Sequence, residues 1–157
     1  PSFFLPLFAS TEISSGVVCA LAFISAWRGL ALFRPMNTWT YQGLGIRISI
    51  WAMLISELAM ALFPDNRLAR IHILFIGGYA LITLMIATRV VLAHGGHSIA
   101  PEIKSRGLMA LIGLLLLAAL ARSNGYLISA SALWLAACLV WFWEIGSKML
   151  PIKSKNN

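Results

Sequence analysis

The side chains of this sequence best suited to chemistry are three histidines and a few ionisable groups set inside long apolar runs. His72 and His94 stand 22 positions apart, and His97 follows three later across Gly95-Gly96. His94 and His97, flanking a Gly-Gly at a helix end, are candidates for an anion or metal site. Arg28, Glu57, Arg89 and Glu144 lie within or beside apolar runs, and Arg47 lies near the end of one. Ionisable groups there are costly in a bilayer and are functional candidates by default. Each also has a plainer reading. Arg28, Arg47 and Arg89 are close enough to helix ends to snorkel. Glu144 can pair with Lys148 one turn on. Glu57 is deeper; it can pair with Arg67, Arg70 or His72, or carry a proton or a metal. An interfacial histidine is most often solvated or hydrogen-bonded. Gly77 and Gly78 suit close helix packing or a flat cofactor. Cys19 and Cys138 are too few for a disulfide framework and read as structurally inert, with copper binding as the alternative.

The elements that must position these groups are membrane helices. The chain has 157 residues, 60% hydrophobic and 11% charged, with a mean hydropathy of +0.86. Soluble domains carry about 25% charged residues. That excludes an ordinary soluble domain, a disordered chain and a disulfide-built secreted module. The net charge of +7 is spread among apolar runs and makes no nucleic-acid-binding face. A spanning helix needs about 20 apolar residues, and five runs qualify: 13–33, 45–63, 71–93, 103–121 and 126–146. No strand periodicity competes, so the fold expected is an all-α polytopic bundle in one membrane domain, 1–157. Proline-bearing segments at Arg34-Pro35 and Pro64-Asp65-Asn66 separate the first spans. His94-Gly95-Gly96-His97 through Pro101 and the turn Ser123-Asn124-Gly125 separate the last. The opening proline, without a basic segment and cleavage site, predicts a piece of a longer protein and not a signal peptide.

Positive charge sets the orientation. Arg67, Arg70 and Arg122 fall on one side of the expected bundle, and the remaining lysines and arginines fall on or toward the other. The C-terminus is therefore expected in the cytoplasm. On the helix 71–93, His72 and His94 are separated by roughly 33 Å at about 1.5 Å per residue. They mark opposite membrane faces and cannot share one metal within the chain.

The third run carries a more specific pattern: Ile71-His72, Gly77, Met85, then Thr88-Arg89-Val90-Val91-Leu92-Ala93-His94-Gly95-Gly96-His97. This resembles the NnrS family of bacterial membrane proteins, whose corresponding helix opens with a histidine and ends in Arg-x-x-Leu-Gly-His-Thr-Gly. Trp134 and Leu150-Pro151 are similar to the way that family ends, and Arg28, Pro35 and Trp39 are compatible with its preceding loop. The chain departs from the pattern at Ala93, Gly95 and His97. Tyr41 and Gln42 also stand where a histidine is usual. The resemblance implies a haem- and copper-containing protein of the bacterial inner membrane, linked to nitric oxide and denitrification. It makes His72 and His94 the candidate ligands and Arg89 a partner for an anionic group such as a haem propionate. Family chains are longer, so the resemblance covers their C-terminal portion.

Three functional readings follow. The first is a haem- and copper-binding protein of nitric-oxide tolerance, with nitric oxide as ligand and the bilayer and a missing N-terminal half, or another membrane subunit, as partners. The second is a transporter or channel portion using Glu57 and Arg89. The third is a cofactor-free structural membrane subunit.

Overall fold

The computed structural model describes Ile24, residues 40–97 and residues 104–149. Four helices there are long and apolar enough to cross a membrane. No strand occurs among the described residues. The expected run 13–33 lies outside them, Ile24 excepted, as do Arg28 and Cys19.

Helix α1 is Tyr41–Leu62. It starts four residues before the apolar run because Thr40 caps it: the Thr40 Oγ1 accepts from the Gly43 N–H at 3.0 Å, satisfying a donor that the helix cannot. It ends before Pro64, which restricts the residue preceding it; Phe63 has left the helical region at φ −137, ψ 76.

Helix α2 spans Arg67–His94, 28 residues. Its segment Ile73–Ala80 is π-helical, a rare form concentrated at functional sites. The segment holds Gly77 and Gly78, and α1 packs against it through small side chains. A Cβ on Gly78 would stand 2.6 Å from Met53 Cγ, and one on Gly77 would stand 3.4 Å from Ala52 Cβ. Gly77 and Gly78 are therefore used for helix packing. Lipid supplies no hydrophobic drive between helices, so such close approach is what joins them. Gly45 serves the same purpose lower on α1, admitting Met85.

Helices α3 (Arg106–Ser123) and α4 (Leu127–Glu144) form an antiparallel hairpin. Its turn is a Schellman cap: Tyr126 N–H bonds Ala121 O at 2.9 Å, Gly125 N–H bonds Arg122 O at 3.1 Å, and Gly125 takes φ +86. That left-handed geometry suits glycine. The core joins α2, α3 and α4 through Leu81, Met85, Leu108, Leu111, Leu115 and Ala137. The α4 helix buries only Ala130 and Ala137, while Ile128 and Trp143 are 86% and 85% exposed, as suits a lipid-facing helix.

Candidate functional site

The two ends of α2 carry the candidate histidines. Near its start, His72 Nδ1 lies 2.7 Å from Leu68 O. A carbonyl can only accept, so Nδ1 holds the proton and the neutral ring keeps its lone pair on Nε2. Metal-binding histidines are commonly oriented by such a backbone bond. His72 lines a cleft of about 280 Å³ with Ile76, Arg122, Leu127, Ala130, Ser131 and Trp134. It also borders an adjoining cleft with Asp65 and Arg122. The α3–α4 hairpin turn therefore brings Arg122 to a histidine fifty positions earlier. Arg122 is half-buried, and among the described residues its guanidinium has no hydrogen-bond or ion-pair partner.

Sequence reasoning read Arg122 only as an orientation charge. Nothing local signals its nearness to His72, since that depends on the hairpin folding back beside α2. Glu57 is half-buried and lines neither cleft. Arg70, one of the partners expected for it, instead donates to Phe63 O and lies 4.9 Å over the Phe63 ring. Ser56, fully buried, donates to Arg70 O at 2.5 Å and ties α1 to the entry of the π-helical segment.

At the other end, His94 Nδ1 lies 3.0 Å from Val90 O, which again leaves the lone pair on Nε2. Its side chain is exposed, as is Arg89. The Gly95-Gly96 pair closes α2 as a second Schellman cap: His97 N–H bonds Leu92 O at 3.0 Å, and Gly96 takes φ +66. The half-buried His97 ring folds over buried Gly95, where a Cβ would meet His97 Cδ2 at 2.6 Å and Lys148 O at 2.6 Å. His97 Nε2 is enclosed without a hydrogen-bond partner among the described residues.

Around this end, side chains are spent on joining helices. Trp141 Nε1 donates to Thr88 Oγ1 at 2.9 Å, and Thr88 donates to Leu84 O at 2.8 Å. Ser105 caps α3, accepting from Leu108 N–H at 3.2 Å, and donates to Glu144 Oε1 at 2.7 Å. The Glu144 carboxyl rests on Gly107, beside the positive end of the α3 dipole. Lys148, the partner expected for that carboxylate, donates instead to the Glu144 backbone carbonyl. Gln42, where a histidine was the expected type, donates to Met85 O at 3.1 Å.

The His72 end thus assembles an aromatic residue, an arginine and one oriented imidazole around an open cleft. Among the described residues no three of His, Cys, Asp and Glu cluster as a metal cage. Haem iron already has four porphyrin nitrogens and needs only an axial protein ligand. The donor set around His72 therefore fits haem; a copper ion would need donors from beyond the described residues.

The family model described as NnrS protein matches residues 2–152. No curated protein and no solved structure matches the chain.

Proposed function

Because the chain belongs to the NnrS family, we propose that it is a haem-binding protein of the bacterial inner membrane that serves nitric-oxide tolerance, with His72 as an axial ligand. The observation that carries this reading is the His72 cleft: an imidazole fixed by Leu68 O, its lone pair on Nε2, beside apolar walls and a half-buried arginine. When bound there, haem supplies an iron that takes nitric oxide. The chain's own residues do the rest. Leu68 O would hold the ring at one angle, and Ile76, Leu127, Ala130 and Trp134 would offer the porphyrin an apolar wall. Placement and surroundings are the protein's usual levers on a cofactor.

His94 and His97 belong to a separate place on α2. His94 is a single exposed donor, so copper bound there would draw further ligands from elsewhere in the full protein. The C-terminus is assigned to the cytoplasm on the charge distribution.

The test is the visible spectrum of the purified membrane protein, with iron and copper counted on the same sample. A Soret band lost on His72→Ala and kept on His94→Ala supports the reading. A colourless wild type expressed with ample haem overturns it, and a band lost only on His94→Ala moves the ligand to the far end of α2.

A further inference from the structure

We infer that Arg122 holds a propionate carboxylate of the haem whose iron His72 binds, so that the cleft grips its ligand at two chemically different points. The inference rests on the haem reading above. It replaces Arg89, the arginine that sequence pattern puts forward for this task, with one 33 positions further along the chain.

Location decides between the two. Arg89 lies one turn or so from His94, at the end of α2 remote from His72. Arg122 lines both clefts that His72 lines. A propionate attached to a porphyrin on His72 Nε2 must find its cation within the same cleft.

Arg122 is also chemically prepared. Its planar fork matches a carboxylate with two parallel hydrogen bonds. Among the described residues it is committed to no other side chain. A half-buried arginine with no partner among the described residues is costly next to Trp134 and Leu127, and an arriving carboxylate lowers that cost. Ser131, across the cleft on α4, offers a hydroxyl to the same group. Asp65, the carboxylate lining the adjoining cleft, is exposed. It repels a propionate from that direction, which favours the Arg122–Ser131 side.

The site also explains the placement of the arginine. A residue in the last turn of α3 stands in a favourable position against the helix dipole, and Gly125 turns the chain sharply enough for α4 to wall the cleft.

The experiment titrates the full-length apoprotein in detergent with iron protoporphyrin IX and, separately, with its dimethyl ester, following the Soret band and the midpoint potential. Arg122→Gln is expected to weaken binding of the free acid about tenfold, the scale of one charge-assisted hydrogen bond, and to lower the potential by removing a nearby positive charge. Arg122→Lys restores part of both. The ester binds the wild type about as weakly as the acid binds Arg122→Gln, and its affinity does not change on Arg122→Gln. Lys104→Gln, at the opposite end of the bundle, leaves all values unchanged. Acid binding that is indifferent to Arg122→Gln overturns the inference while leaving haem ligation intact. So does an acid–ester difference that survives Arg122→Gln and disappears on Arg89→Gln. A wild type that binds neither porphyrin overturns the inference and the haem reading together.

Discussion

The two ends of α2 hold similar residues and use them differently. Each end has a histidine whose Nδ1 is tied to the carbonyl four residues before it, and each has an arginine and a tryptophan nearby. At the His94 end most polar side chains are consumed in joining helices, while His97 Nε2 is enclosed without a partner among the described residues. Trp141 bonds Thr88, Ser105 bonds Glu144, and Gln42 bonds Met85 O. At the His72 end the arginine and the imidazole lone pair face an open cleft, and Ser56 to Arg70 O is the cross-helix side-chain bond that anchors it. In a bilayer a polar group is kept only if satisfied by protein or by ligand. Residue type alone therefore does not mark a site; a polar group that the fold leaves for something else to satisfy does, and there is such a group at each end, Arg122 at one and His97 Nε2 at the other.

The largest effect is expected between the two ends, where the comparison breaks if they are not mechanically joined. Gly78→Leu puts a side chain where even a Cβ would meet Met53 Cγ at 2.6 Å and Ser49 O at 3.6 Å. Overpacking of this kind costs about 1–3 kcal/mol. The variant should melt well below the wild type in detergent and lose cofactor binding with it. A Gly78→Leu protein with unchanged melting would mean that the π-helical segment is not clamped by α1.

Next comes Ser105→Ala, which strikes the His94 end alone. It removes an N-cap and strands a half-buried carboxylate. Loss of a cap costs about 1 kcal/mol. Thermal stability should fall while the Soret band and its porphyrin affinity stay as in the wild type. A spectrum that changes in step with stability would erase the distinction between a structural end and a binding end.

Much of this arrangement was legible in the sequence. Hydropathy placed four described spans to within a few residues, because about 20 apolar residues are a strong signal. The turns at Pro64 and Gly125 were legible because proline and positive-φ glycine act locally. The separation of His72 from His94 followed from helix rise alone. The remainder needed three dimensions. Thr40 and Ser105 are caps whose polar character hid them from a hydropathy reading, so α1 and α3 begin at 41 and 106 and not at 45 and 103. The π-helical stretch carries no distinctive composition; it exists where α1 presses on Gly77 and Gly78. The pairing of Glu144 with Lys148 was sound as helix spacing, yet Ser105, 39 residues away, competes better for the carboxylate. Arg122 reaches His72 only through the α3–α4 hairpin, and no local spacing rule relates positions 72 and 122.

The smallest effect tests the comparison most finely. Trp141→Phe keeps an aromatic ring against the core but removes the indole donor to Thr88 Oγ1. Cross-helix hydrogen bonds in membranes average about 0.6 kcal/mol, because alternatives exist for the stranded group. Thr88 has one, since its hydroxyl already donates to Leu84 O. The expected loss is therefore a small drop in stability, measured as a shift in reversible unfolding, with no change in colour. Pairing it with Thr88→Ala in a double-mutant cycle isolates the bond: the second substitution should add less than it costs alone. Strict additivity would mean that the Trp141 indole contributes nothing through Thr88, and the His94 end would then owe its closure to Ser105 and Glu144 and to packing.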